Sequence, residues 1–200
     1  MTIVDDRQDA GLYAARRAMI DSQLRPSGIN AEWVLRRMDD VAREDFVPEA
    51  ARGFAYMDRA IALENGRYLP SPLFHGMVLQ EARPSAQDRA LVVDGGSGYL
   101  AELARPLVGS LETASPAEAV AGSGSGGFTL LMIDGAVEHI PAALAARLEE
   151  GARVVTGWVR QNVTCMAYGV ESAGEVALMP LAELGIPVLA EFAKPKGWSF

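Results

Sequence analysis

The sequence contains very little cysteine and histidine, with one cysteine, Cys165, and two histidines among its 200 residues. A single cysteine cannot form an internal disulfide bond and cannot build a cysteine-based metal cluster. Such cysteine usage is typical of a reducing compartment, so we expect a cytoplasmic protein. The spacing of the two histidines resembles no common set of metal ligands, and we assign no metal.

The chain also lacks a long apolar segment and an excess of basic residues. Its apolar runs fall short of the ~18 residues that are needed to span a bilayer, so we expect no membrane insertion. Acidic side chains outnumber basic ones by 26 to 18, which gives a formal net charge of -8, and the arginines are scattered among carboxylates. Because binding of nucleic acid depends on clustered positive charge, this distribution argues against a nucleic-acid partner.

The chain contains enough apolar residues to form one hydrophobic core. Half of its residues are hydrophobic, 22% are charged and 7% are aromatic, which excludes a disordered or fibrous protein. We expect one structural domain overall, made of two successive parts. Helical periodicity followed by an irregular, proline-containing segment predicts an N-terminal helical prelude over residues 1–84, and the pattern changes in residues 85–200.

Apolar runs alternate with helix-like segments in this second part, which indicates a doubly wound α/β sheet. We predict parallel strands over residues 90–94, 109–112, 128–134 and 153–159, because their continuous apolar runs suit a sheet that is covered on both faces. The alternating segments NVTCMAYGV and GEVALMPLAEL, joined by ESAG, predict a C-terminal antiparallel strand pair. The glycine- and serine-rich segment AGSGSGGF predicts a flexible connector.

The first of these strands leads into a glycine-rich turn and a helix, in the sequence RALVVDGGSGYLAELA. Many nucleotide-like pockets begin with this arrangement, although a glycine loop alone is a weak signal. A more specific pattern lies in the prelude, in the segment MIDSQLRPSGINAEWVLRRMDDVAREDFVPEAARGFAYMDRAIAL.

This prelude segment resembles the protein-L-isoaspartate O-methyltransferases, which use S-adenosylmethionine to methylate isomerised aspartyl carboxylates. The motifs GSGY and GAVEHIP extend the resemblance over nearly the whole chain. It implies a mainly parallel, seven-stranded, methyltransferase-like (Rossmann-like) sheet with one reversed strand. It also implies that the irregular end of the prelude is the substrate loop.

The resemblance further implies a site for S-adenosylmethionine at the glycine turn. An acid after the next strand would accept the ribose hydroxyls, and Glu112 fits this role, although it fits a solvated surface glutamate equally well. The implied cofactor residues are Asp94, Gly95, Gly96, Gly98, Tyr99 and Glu112. Methyl transfer to an ionised carboxylate needs little acid or base assistance, so the lack of an obvious catalytic histidine does not argue against activity.

Three departures from the family pattern indicate an altered site. The turn VVDGGSGY either lacks two residues of Asp-x-Gly-x-Gly-x-Gly-Tyr or places Asp94 at a glycine position and Val92 at the acid position. The segment TASPAEAVAGSGSGG is too short for the helix, strand and turn that form the adenine wall in the family, so we expect one edge strand and helix to be missing. In GRYLPSP, Pro70 takes the place of a serine that holds the substrate, which leaves Ser71 and Arg67 as candidate catalytic residues.

His75 follows this substrate loop and has two interpretations. Its side chain could lie at the mouth of the pocket, or it could be a partly exposed polar residue at the start of a helix, which we favour.

Three functional hypotheses follow from these features. The first is an active carboxyl methyltransferase that repairs isoaspartyl proteins or peptides. The second is an inactive descendant that binds a protein partner or serves as a scaffold subunit, and the shortened middle and Pro70 favour it. The third is a protein that binds a different small ligand in the remodelled crevice.

Overall fold

The N-terminal part of the chain is helical, as its periodicity predicts. The computed structural model describes residues 3–194, and the side chains from residue 10 onward. Helix α1 (Ile3–Met19) continues through a π-helical segment, Ile20–Leu24, and is followed by α2 (Glu32–Asp40) and two 3₁₀ helices, Arg43–Phe46 and Glu49–Phe54. Within residues 3–194, no helix is both long enough and apolar enough to cross a membrane.

A small hairpin and a buried helix connect the prelude to the sheet. The hairpin pairs β1 (Ile61–Ala62) with β2 (Tyr68–Leu69), and helix α3 (Pro72–Ala82) follows it directly. Ser71 caps the N-terminus of α3, and its hydroxyl accepts a hydrogen bond from the Phe74 N–H at 3.3 Å. Proline at the first helical position supports this start, because that position needs no N–H donor.

Within residues 3–194, the central sheet has six strands. They are β3 (Arg89–Val93), β4 (Ser110–Ala114), β5 (Phe128–Val137), β6 (Leu148–Arg160), β7 (Val163–Ser172) and β8 (Glu175–Glu183). Their spatial order is β4-β3-β5-β6-β7-β8; the first four strands are parallel, and β7 is antiparallel to both of its neighbours. The predicted mainly parallel sheet, with one reversed strand and a terminal antiparallel pair, is therefore confirmed.

The connection from β4 to β5 is short, as the sequence indicates. Helix α4 (Tyr99–Ala104) lies between β3 and β4, whereas α5 (Pro116–Ala121) has six residues and the chain then runs directly into β5. After β5, the short helix α6 (Ala142–Ala145) leads to β6. The described sheet thus ends at β4, where the family pattern would add another strand and helix.

Three apolar clusters form the core. One packs α3 against one face of the sheet, through residues such as Phe74, Val92 and Met132, and a second covers the opposite face. The third joins the prelude to α3 and α4, with Met38, Leu79 and Tyr99 among its members. The prelude is consequently packed beside the glycine turn that precedes α4.

Hydrogen bonds hold the glycine- and serine-rich segment after α5 in place. The buried Arg147 donates from Nε to the carbonyl oxygen of Ser125 at 2.8 Å and forms an ion pair with Glu112 at 2.7 Å. The Ser125 hydroxyl donates to the same carboxylate. These contacts argue against the flexible connector that the composition predicts, because Arg147 ties the segment to β4.

Replacing Arg147 by alanine is expected to lower the free energy of unfolding by about 1–2 kcal/mol, since the partly exposed Glu112 loses its counter-charge and the Ser125 carbonyl oxygen loses its donor. Urea denaturation measures this loss, and limited proteolysis should show faster cleavage within residues 122–127. Arg105→Ala is the matched control, because the Arg105 side chain is mostly exposed. Equal stability of the two variants would show that Arg147 does not anchor the segment.

Candidate functional site

The glycine turn between β3 and α4 depends on residues without side chains. Gly96 and Gly98 have φ angles of 116° and 75°, in the region that favours glycine. A Cβ atom on Gly95 would lie 2.2 Å from the carbonyl oxygen of Asp134 on β5, which is far inside contact distance. The Asp94 carboxylate spans the turn and accepts a hydrogen bond from the Gly98 N–H at 2.8 Å.

A cavity of about 490 Å³ lies beside this turn. Arg67, Asp94, Gly96 and Gly98 line one side, and Thr113–Pro116 and Glu118 line another. The cavity therefore opens at the carboxyl ends of β3 and β4, where open α/β sheets commonly bind ligands. Its volume is in the range that holds a small organic ligand.

The residues predicted at the turn separate into two groups. Asp94, Gly96 and Gly98 line the cavity, whereas Gly95 faces the backbone of β5. Tyr99 is fully buried, and its ring packs edge to face against Phe46 at 5.2 Å between centroids. The structure thus brings three of the five turn residues to the cavity, and Gly95 and Tyr99 fix the shape of the turn from behind.

Glu112 lies away from this cavity. Glu112 lies two residues before the end of β4, and its carboxylate contacts Arg147 and Ser125. Among the described residues, Thr113 and Ala114 are the β4 residues that line the cavity, and Glu112 does not line it. The structure therefore does not bring Glu112 together with the glycine turn.

Glu118 lies on the same side of the cavity as Thr113–Pro116, and the sequence reasoning missed this carboxylate. Ser115 caps α5 by accepting the Glu118 N–H at 3.3 Å, and the Glu118 carboxylate accepts the backbone N–H and the hydroxyl of Ser115 at 2.8 and 2.7 Å. These hydrogen bonds lower the pKa of Glu118, and the one from the Ser115 backbone N–H has the largest effect. The spacing Ser-x-x-Glu before an apolar run is the signal of such a capping box, and it could have identified both residues.

The two predicted catalytic residues occupy different environments. Ser71 is buried, and its hydroxyl is engaged at the start of α3, away from the cavity lining. Arg67 lines the cavity, and its stem covers Gly96, where an added Cβ would lie 2.9 Å from Arg67 Cβ and Cγ. The Arg67 guanidinium forms a two-point ion pair with Glu191, at 2.5 Å from Nη2 to Oε1 and 3.2 Å from Nη1 to Oε2.

A buried chain of polar side chains lies behind the turn. Arg43 Nη1 is 3.1 Å from His75 Nδ1, and His75 Nε2 is 2.8 Å from Asp134 Oδ1. His75 Nδ1 also lies 3.1 Å from the carbonyl oxygen of Ser71, which only accepts, whereas arginine only donates. A neutral imidazole carries one ring proton, and we assign it to Nε2, which faces the Asp134 carboxylate, so that Nδ1 accepts from Arg43. Our expectation of a partly exposed His75 is therefore wrong, since its side chain is fully buried between two charged partners.

Charge is balanced in this chain when His75 is neutral. Burial lowers the pKa of His75, and this effect exceeds the opposing influence of Asp134. Arg43 also donates to the carbonyl oxygens of Ala55 and Pro70, so the buried guanidinium has several acceptors. The positive charge of Arg43 and the negative charge of Asp134 then compensate one another across the imidazole.

The same chain reaches the glycine turn. The Ser97 hydroxyl donates to Asp134 Oδ2 at 3.3 Å and accepts the Tyr99 N–H at 3.1 Å. Asp134 lies between Met132 and Ala136, where the register of β5 against β6 shifts. Such irregularities redirect side chains, and here Asp134 meets the turn and His75 together. Sequence reasoning could not find this set, because Arg43, His75, Ser97 and Asp134 come from four distant segments.

A comparison with protein families gives a match over residues 14–119 to the model described as protein-L-isoaspartate(D-aspartate) O-methyltransferase. Relatives named protein-L-isoaspartate O-methyltransferase include one from Herpetosiphon aurantiacus, 30% identical over 165 residues, or 70% of this chain and 74% of that protein. Another, protein-L-isoaspartate O-methyltransferase 2 from Anaeromyxobacter sp., is 32% identical over 165 residues, or 70% of this chain and 68% of that protein.

Solved structures with a similar fold carry related names. A Plasmodium falciparum structure, titled as a protein-L-isoaspartate O-methyltransferase in complex with S-adenosyl-L-homocysteine, has a TM-score of 0.72 at 15% identity. The match covers 88% of this chain and 98% of that chain. A second structure, titled protein-L-isoaspartate O-methyltransferase, has a TM-score of 0.68 at 13% identity and is covered over 66% of its length. At these identities the likeness shows the fold.

The buried histidine predicts a loss of stability in mild acid. The unfolded chain takes up a proton on His75 near pH 6.5, whereas the folded state, with its lowered pKa, resists protonation. His75 therefore contributes stability above about pH 6.5, and this contribution falls by up to about 1.4 kcal/mol per pH unit as the pH drops below that value.

Urea titrations of the wild type and of His75→Gln at pH 8, 7, 6 and 5 test this prediction. The variant should be less stable at pH 8, since Arg43 and Asp134 lose a bridging partner, and its stability should fall less steeply below pH 6.5. Parallel curves for the two proteins between pH 7 and pH 5 would contradict the assignment of a neutral, buried His75.

Proposed function

Because the chain belongs to the protein-L-isoaspartate O-methyltransferase family, we propose that it transfers a methyl group from S-adenosylmethionine to the carboxylates of isoaspartyl residues. The observation that carries this proposal is the cavity at the carboxyl ends of β3 and β4, next to the glycine turn. Peptides and proteins with isomerised aspartyl residues are the proposed substrates. The buried, unpaired Cys165 is consistent with the reducing cytoplasm as the place of action.

The residues around the cavity fit the chemical groups of the cofactor. Asp94 would hold the positively charged amino-acid end, because one carboxylate oxygen bonds to Gly98 and the other has no such role in the turn. A Cβ on Gly98 would have no described atom within 4 Å, so the backbone there is open to a ligand. Ser115 and Glu118 would meet the ribose hydroxyls in place of Glu112.

The chemistry divides between the cofactor and the chain. When bound, S-adenosylmethionine supplies an electrophilic methyl group on a sulfonium. The substrate carboxylate is already ionised near neutral pH, so the chain needs no general base. Its own residues bind and orient the carboxylate.

Arg67 is the proposed partner of the substrate carboxylate. Arg67 lines the cavity, and a guanidinium can bind a carboxylate at two points. Ser71 contributes indirectly in this proposal, because its hydroxyl is buried at the start of α3 and holds that helix beside the substrate loop.

A second candidate function is that of a non-catalytic family member that binds a protein partner. Two observations favour it: Glu112 is engaged by Arg147 instead of facing the cavity, and the described sheet ends at β4 without a further strand. Such a protein would keep the fold and lose affinity for the methyl donor.

Calorimetric titration with S-adenosylhomocysteine and a methyl-transfer assay separate the two candidates. The assay uses radiolabelled S-adenosylmethionine with one peptide that contains an isoaspartyl residue and the same peptide with normal aspartate. The proposed function predicts binding and transfer to the isoaspartyl peptide only. Absence of binding at millimolar ligand, together with absence of transfer, would overturn it and favour the second candidate.

The Asp94→Asn variant tests the proposed cofactor contact. The asparagine can still accept the Gly98 N–H, so the turn should fold, but the loss of charge should weaken binding of S-adenosylhomocysteine about tenfold or more. Asp45→Asn is the matched control, because it removes an exposed carboxylate that pairs with Arg52. Equal affinities for the two variants would exclude Asp94 from the site.

A further inference from the structure

The ion pair between Arg67 and Glu191 joins a carboxylate of the chain itself to a residue that lines the cavity. Both carboxylate oxygens face the guanidinium, at 2.5 and 3.2 Å, in the two-point geometry that arginine makes with carboxylates. The side chains are 32% and 26% exposed, so water and a solute can reach the pair. An isoaspartyl substrate would present the same chemical group to the same guanidinium.

The backbone that carries Arg67 is fixed independently of this pair. The Arg67 carbonyl oxygen accepts the Leu63 N–H at 2.8 Å, and the Arg67 N–H donates to the Glu64 carbonyl oxygen at 3.1 Å. The stem of the side chain lies on Gly96. Arg67 is therefore held at the glycine turn whether or not Glu191 is bound to it.

The segment that carries Glu191 is also anchored by other contacts. Ala136 on β5 donates its N–H to the Pro187 carbonyl oxygen and accepts the Leu189 N–H, both at 2.8 Å. Phe192 is fully buried among the apolar residues of the second sheet face. Separation of the ion pair would thus require only rotation of two partly exposed side chains, with the backbone of both segments unchanged.

We propose that Glu191 is a built-in competitor of the substrate: it occupies Arg67 until a substrate carboxylate displaces it. This inference rests on the proposed function, in which Arg67 binds the substrate carboxylate. The competitor raises the concentration of substrate that is needed for binding, and it keeps the guanidinium paired when substrate is absent. Glu191 is accordingly a specificity-determining residue, since only a ligand with a well-placed carboxylate replaces its interaction.

Peptide affinity tests this competition without requiring turnover. The probe is a fluorescent isoaspartyl peptide, acetylated and amidated at its ends, and binding is measured by anisotropy in the presence of S-adenosylhomocysteine. Glu191→Gln should bind the peptide about five- to tenfold more tightly than the wild type, because the charged competitor is gone. A peptide with asparagine at the isoaspartyl position should show no such gain.

Two further variants test whether the gain in affinity depends on Arg67. Arg67→Ala should lose affinity for the isoaspartyl peptide. The double variant that combines Arg67→Ala with Glu191→Gln should bind the peptide no more tightly than Arg67→Ala alone. Glu32→Gln is the matched control, because Glu32 forms an exposed ion pair with Arg25 at 2.9 Å in the prelude. Its affinity for the peptide should equal that of the wild type.

The outcomes for this inference and for the proposed function are separate. Equal or weaker peptide binding by Glu191→Gln, or no detectable binding by either protein, overturns the competition. Tighter binding by Glu191→Gln that depends on Arg67 supports it, even if methyl transfer is absent and the proposed function fails. Methyl transfer with unchanged peptide affinity in the variant supports the proposed function and overturns the competition.

Discussion

The buried chain from Arg43 through His75 to Asp134 is the constraint on which the rest of the structure depends. It joins the prelude, helix α3 and strand β5 through side chains that are almost completely removed from water. Buried charges are costly unless they are paired and hydrogen-bonded, so these three elements must meet in one arrangement. The Ser97 hydroxyl extends the same constraint to the glycine turn.

This constraint explains why the cavity lies where it does. The turn is held against β5 from behind by Gly95 and Ser97, and its other side faces the short connection after β4. The prelude, which resembles the family most closely, therefore serves as a support for the turn. Its packing keeps the turn in a defined shape even though the sheet, within residues 3–194, ends at β4.

Oppositely charged side chains are paired in two different environments near the site. Behind the turn, the opposite charges are buried and share a neutral imidazole. At the cavity, Arg67 and Glu191 pair where water can reach them. A buried pair is strongly held because separation would leave an isolated charge in an apolar environment, whereas an exposed pair separates at small cost. The first arrangement suits a structural support, and the second suits a group that exchanges partners with a ligand.

The sequence by itself determined the family, the order of elements and the shortened edge, because these depend on local periodicity and motifs such as the glycine turn. It also identified Asp94, Gly96, Gly98 and Arg67, which line the cavity. Only the tertiary structure decided that His75 is buried against Asp134, that Glu112 turns to Arg147, and that Glu191 reaches Arg67. Those contacts join residues from 35 to 124 positions apart, and local patterns carry no information about which distant side chains meet.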